Sequence, residues 1–233
     1  MRAFVTSVLA MATVALAAAT PAQSQEPADP TIFMVRYIDV APAAKAQTAT
    51  LLRQLRDAGR KSDGAVRFEV LQRTAPSSQF VTLEIWKDQQ ALDAYTAASE
   101  SKQFRERLAP LLIAPVDDRL CITTTVDPMQ AARARNTTGA LYVVTHVDVG
   151  PPNRDKTIVG LRALAEGSRK EAGNLRFDVV QQKARTNHFT LIEAWKDQKS
   201  DDAHEIGPTA KEFRVLLGPL AGALYDQRWY KAL

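Results

Sequence analysis

The strings "LEIWKDQ" at residues 83–89 and "IEAWKDQ" at residues 192–198 place a Glu, a Trp and a Lys-Asp-Gln run at the same spacing, 109 positions apart. The offset holds without insertion far outside these strings: "GAVRFEVLQ" at 64–72 falls on "GNLRFDVVQ" at 173–181, and "KQFRERLAPL" at 102–111 falls on "KEFRVLLGPL" at 211–220. Between Ile32/Leu141 and Ile122/Lys231, about 33 of 91 positions are identical. A gap-free register of this length marks a tandem duplication. The period is too long for a stacking solenoid, so each copy must fold as a domain with its own core. The expected boundaries are 31–123 and 140–233, with a linker at 124–139 that contains the sequon Asn136-Thr137-Thr138.

Each copy opens on a β-branched and aromatic run, "IFMVRYIDV" at 32–40 or "LYVVTHVDV" at 141–149, which reads as a strand. Apolar residues then recur at helical spacing: Thr48, Leu51, Leu52 and Leu55 in the first copy, Ile158, Leu161, Leu164 and Ala165 in the second. Gly64 and Gly173 are expected to end these helices. Two strands joined by a polar turn follow, "AVRFEVLQR" and "QFVTLEIW" in the first copy, and form a hairpin. Helical segments near 88–98 and 101–112 and a last strand from Asp117 or Asp226 complete the copy. The order β-α-β-β-α-β, twice, predicts an α+β protein of two ferredoxin-like domains with helices on one sheet face only. Two copies in one chain cover each other's bare sheet face by packing sheet to sheet around an enclosed interior.

The first residues carry one early Arg, an uncharged apolar stretch from Ala3 to Ala19, and small residues at Ala22 and Ser24. They read as a signal peptide over residues 1–24, with export to the periplasm or beyond and no membrane span after cleavage. Cys121 is the single cysteine, expected to be buried, and Lys and Arg are scattered without the run that marks a nucleic-acid surface. No HxxxH, CxxC or Gly-rich phosphate loop occurs, so neither a metal nor a nucleotide or flavin cofactor is expected.

Among the histidines, His204 is the candidate general base because an unperturbed imidazole titrates near neutral pH; a role in helix packing is the alternative. His146, with Tyr37 at the matching position, lies on the first strand of its copy and either enters the interior or is structural. His188, which replaces Gln79 beside a turn, is expected to be solvated. Arg67 and Arg176 alternate with Phe68 and Phe177, and Glu84 and Glu193 on the adjoining strand are their natural partners. Trp86 and Trp195 suit core anchors and, equally, aromatic walls for a ring substrate.

The Glu-x-Trp ending the third strand, the Ala-His dipeptide in the following helix, "KEFR", "LGPL" and the closing "YDQRWYK" resemble the antibiotic biosynthesis monooxygenase domain, of the quinol monooxygenase type. The resemblance covers nearly all of each copy. It implies a dimeric α/β barrel formed here within one chain, a monomer whose domains stand in for a dimer, with higher oligomers left open. It also implies cofactor-independent oxygenation of a small aromatic or quinol, with His204 as the catalytic residue and Trp195, Trp86, Tyr95, Glu193 and Glu84 at the family's site positions; Phe177, Phe68, His146 and Tyr37, from their own strand positions, are further candidates for the substrate environment. Where the family often has a second His five residues later, this chain has Glu100 and Thr209, and Tyr95 takes the place of His204 in the first copy. Those departures support a rival expectation, a non-catalytic small-molecule binding protein, with a haem-binding or haem-degrading relative as a more remote option.

Overall fold

The computed structural model describes residues 30–124 and 136–233. The expected signal peptide and residues 125–135 of the expected linker lie outside the described residues.

The first repeat runs β1 (Ile32–Asp39), α1 (Lys45–Gly59), β2 (Ala65–Arg73), β3 (Gln79–Trp86), α2 (Gln89–Ala97), α3 (Ser99–Leu108) and β4 (Asp117–Thr123). The second runs β5 (Leu141–Asp148), α4 (Arg154–Ser168), β6 (Asn174–Gln182), β7 (His188–Trp195), α5 (Gln198–Glu205), α6 (Pro208–Leu217) and β8 (Asp226–Ala232). The doubled Trp-Lys-Asp-Gln string has a local cause. The Asp of each copy is the N-cap of the helix that follows, Asp88 accepting from the Ala91 amide at 2.7 Å and Asp197 from the Ser200 amide at 2.9 Å. The Lys amide of each copy donates to a glycine carbonyl, Lys87 to Gly64 and Lys196 to Gly173, both at 2.8 Å. These glycines do not cap helices as expected: α1 and α4 stop several residues earlier, and Gly64 (φ 77°) and Gly173 (φ 85°) form the left-handed step that leads into β2 and β6.

The eight strands close into one antiparallel barrel in the order β1-β3-β2-β8-β5-β7-β6-β4. Closure is edge to edge. β2 pairs with β8 through Leu71↔Ala232 and Arg73↔Tyr230, and β4 pairs with β6 through Cys121↔Gln182 and Thr123↔Val180, so each repeat's last strand seals the other's open edge. The strand order repeats after four positions with direction kept, so the pseudo-two-fold axis coincides with the barrel axis.

Strand alternation then sorts the core into three parts. Phe33, Val35, Leu71, Leu83, Cys121, Tyr142, Val144, Ile192 and Tyr230 fill the barrel interior, which is a packed core and not an open chamber. Ile38, Leu52, Phe68, Val70, Phe80 and Trp86 point outwards under α1–α3; Val143, Leu161, Leu164, Phe177, Leu191 and Trp195 do so under α4–α6. Among the described residues, no helix is long and apolar enough to cross a membrane.

Candidate functional site

In both repeats the Glu and Trp of the duplicated string lie two apart on one strand, so both face the helices. Trp86 Nε1 donates to Glu84 at 3.0 Å, and Trp195 Nε1 donates to Glu193 at 3.0 Å. The helix residue nine positions after each Trp stacks on the indole. Tyr95 lies 4.7 Å from Trp86 with the planes 30° apart, and His204 lies 4.7 Å from Trp195 at 27°. Phe68 meets both Trp86 and Tyr95 edge-on, and Phe177 meets His204 in the same way. The two clusters share one frame and differ in their charges.

In the first repeat, Glu84 accepts from Arg36 Nε at 2.9 Å and from the Thr82 hydroxyl at 2.9 Å, and Arg36 also bonds Asp118 at 2.6 Å. The corresponding residues of the second repeat are Thr145, Leu191 and Gln227, none of which carries charge. Glu193 is 1% exposed, and burial pushes its carboxyl up to about 8; the Trp195 hydrogen bond opposes this, while Asp201, Glu205 and Glu171 add to it. His204, 4% exposed, is held by Glu171 Oε2 at 2.7 Å from Nδ1, which turns Nε2 towards Glu193 at 3.8 Å. In the first repeat, Ser62 occupies the position of Glu171. The second repeat therefore joins an oriented imidazole to a carboxyl whose proton is exchangeable near neutral pH, in a dry aromatic setting. Tyr225 borders this unit, and burial together with Glu193 and Glu205 raises its hydroxyl far above the ordinary value.

A cleft opens beside Tyr95 in the first repeat. A cavity of about 230 Å³ separates α1 from α3, lined by Leu51, Ala58, Tyr95, Ser101, Phe104 and Arg107. A smaller one of about 80 Å³ continues under Tyr95 to Glu84, Arg36 and Asp118. The hydroxyls of Tyr95 and Ser101 are buried at these walls without a partner in good hydrogen-bond geometry. In the second repeat, Gly160 and Gly167 replace Leu51 and Ala58, and α4 closes on α6: a Cβ on Gly167 would lie 2.5 Å from Thr209 Cγ2, and one on Gly160 would lie 3.0 Å from Leu216. The proton-handling unit and the open cleft thus occupy opposite halves of the molecule.

The remaining expected site residues do not join either cluster. Tyr37 and His146 face the barrel interior, on the other side of the sheet, where Arg119 lies 4.7 Å from the Tyr37 ring centroid and 2.7 Å from His146 Nδ1. Burial and Arg119 hold the His146 imidazole down at about 4. Arg67 and Arg176 do not pair with Glu84 and Glu193, because their strand alternation sends them inwards and the glutamates outwards. Arg67 bonds Glu69 at 2.7 Å, and Arg176 bonds both Asp178 at 2.5 Å and Glu69 of the other repeat at 2.6 Å. Burial opposes the charge of Glu69, yet Arg176 and Arg67 hold its carboxyl down at about 2. His188 is half-buried against Asp148 and not solvated as expected. Cys121 is buried in the barrel interior.

Residues 31–107 and 140–215 each match the antibiotic biosynthesis monooxygenase family. The chain belongs to that family. It is 30% identical over 85 residues to YcnE of Bacillus subtilis, a monooxygenase by name; the match takes 34% of this chain and 90% of YcnE. The fold of both repeats together is similar to crystal structures of two proteins named as monooxygenases. One, from Fusobacterium nucleatum, gives a TM-score of 0.74 at 15% identity, over 89% of this chain and 94% of that one. The other, from Lactobacillus acidophilus, gives 0.71 at 13%, over 87% and 94%. Within the family frame, the residues that sequence reasoning missed are Glu171, Arg36 and its replacement Thr145. The repeat alignment offered a signal for the last: Arg36 against Thr145 is a charge lost from a strand whose partner Glu is kept.

Proposed function

We propose that this chain is an exported, cofactor-independent monooxygenase-like protein acting on a small aromatic or quinol, with the second repeat as the reactive half. The observation that carries the reading is the buried Glu193, which faces His204 and has no Arg or Lys partner among the described residues, set against Glu84 of the first repeat, which is paired with Arg36. Direct reaction of O2 with a ring requires an electron-rich, deprotonated substrate held away from water. His204, oriented by Glu171, takes the proton, and Glu193 receives or returns it. One oxygen atom then enters the ring, and the other leaves as water with the two hydrogens the substrate gives up. Trp195 and Phe177 pack against His204 and keep its imidazole away from water. The sequence of residues 1–24 supports export.

A second reading has its own observation. The cleft beside Tyr95 is open, lacks an imidazole and has its carboxylate neutralised by Arg36, which suits binding of a small polar aromatic without turnover. Incubating the protein lacking residues 1–24 with a hydroquinone panel, in air and without oxygen, separates the two. Oxygen-dependent turnover lost in His204→Ala and in Glu193→Gln supports the first reading. Saturable binding without turnover supports the second. Equal turnover in wild type and His204→Ala would defeat the assignment of the second repeat as reactive.

A further inference from the structure

We infer that His146, Asp148 and His188 form a binding site for a single first-row divalent transition-metal ion at one mouth of the barrel. This site is separate from the His204 cluster and independent of the function proposed above. His146 and Asp148 are two apart on β5 and so share a face, and the β5–β7 register sets Asp148 opposite His188. His146 Nε2 and His188 Nδ1 lie 2.7 and 2.5 Å from the same Asp148 oxygen, and one donor atom from each of the three residues falls within 4.8 Å of the others. That carboxylate oxygen is buried, and neither imidazole meets it in good hydrogen-bond geometry. Two imidazoles and one carboxylate are the donor set of open, three-ligand sites for Zn²⁺ or Fe²⁺. Metal bonds of about 2.1 Å in a tetrahedral site place donors roughly 3.4 Å apart, so each imidazole nitrogen must draw back from the Asp148 oxygen by somewhat under about 1 Å. All three are half-buried, leaving further coordination positions to water.

The charged neighbours at this mouth are Arg119, Asp117, Asp226 and Arg228. Arg228 is paired with Asp226 at 2.6 Å. Arg119 is the competing group. Its Nη1 lies 2.7 Å from His146 Nδ1, and an imidazole metallated at Nε2 carries a proton on Nδ1, so that contact must break. Asp117 already accepts two hydrogen bonds from Arg119, at 3.0 and 2.7 Å, and retains the guanidinium when it swings away. The first repeat provides an internal control, because its equivalents are Tyr37, Asp39 and Gln79, which cannot form such a set.

The test uses untagged protein, freed of metal by dialysis against a chelator and titrated with Zn²⁺ by calorimetry and with Co²⁺ by visible absorption. The expected result is uptake of one ion per chain, weakened on the order of 100-fold in Asp148→Asn and His188→Gln and unchanged in His204→Ala. Gln occupies the matching position of the first repeat, so His188→Gln is expected to keep the metal-free melting temperature. Absence of saturable uptake at about 100 μM ion would overturn the site. So would equal affinity in wild type and His188→Gln, or a loss confined to His204→Ala.

Discussion

Glu193 lies 3.8 Å from His204 Nε2, and among the described residues its side-chain hydrogen bond comes from Trp195. The homologous Glu84 carries the guanidinium of Arg36. The exchange of Arg36 for Thr145 removes from the second repeat the cation that Glu84 has, and burial holds the Glu193 proton into the neutral range.

Glu193→Gln should stabilise the protein at alkaline pH and leave it nearly unchanged at acid pH. Below the ordinary value of 4.5, both folded and unfolded chains are protonated at this position. Between there and about 8 the unfolded chain releases the proton while the folded chain keeps it, so wild-type stability falls as pH rises. Denaturant melts of the two proteins at pH 5 and pH 8.5 should differ in their gap by on the order of 2–4 kcal/mol. A gap independent of pH would show that Glu193 is ionised in the folded state throughout.

Arg36→Thr removes the cation from beside a fully buried Glu84 and should cost roughly 3 kcal/mol at pH 8, as loss of one member of a buried pair does. Adding Glu84→Gln should restore most of that loss, since Gln still accepts from Trp86 and carries no charge. Urea melts of the two single variants and the double variant measure the coupling directly.

Arg176 crosses the barrel axis to Glu69 and also binds Asp178, joining the two repeats through a charge cluster buried from solvent. Arg176→Met should cost about 3–5 kcal/mol by leaving Asp178 without its cation and Glu69 with Arg67 alone. Glu69, held down at about 2, contributes stability that is present above its unfolded value and lost as pH falls towards 2. Acid unfolding followed by circular dichroism should therefore begin at a higher pH in Arg176→Met than in wild type.

Gly167→Ala tests the close approach of α4 to α6. Alanine inside an exposed helix gains roughly 1 kcal/mol over glycine. Here its Cβ meets Thr209 Cγ2 at 2.5 Å, and overpacking of that kind costs about 1–3 kcal/mol. Thermal unfolding should show net destabilisation, relieved by adding Thr209→Ser.

The duplication made much of the fold legible, because hydrophobic spacing, β-branched runs and the repeated Trp-Lys-Asp-Gln string are local signals. Trp86 and Trp195 anchor the core, and Asp88 and Asp197 cap helices, for reasons readable within a few residues. His204 was legible as a candidate base on a helix, but its stacking on Trp195 was not. Glu171 was not, because it lies 33 residues away and meets the imidazole only once α4, α5 and β7 are packed.

The strand alternation of Arg67 with Phe68 was evident from the sequence, but the side of the sheet each would take was not. Either face could have been the covered one, and only closure of the barrel through β2–β8 and β4–β6 sent the arginines inwards to Glu69 and Asp178. The same closure and the β5–β7 register brought His188 to Asp148 across 40 residues of chain. The sequence alone determined two copies of one βαββαβ unit and the residues that hold each copy together, because those interactions recur within a copy. The tertiary structure decided which carboxylates are neutralised and which are not, because a buried charge is set by the groups that packing brings within a few ångströms of it.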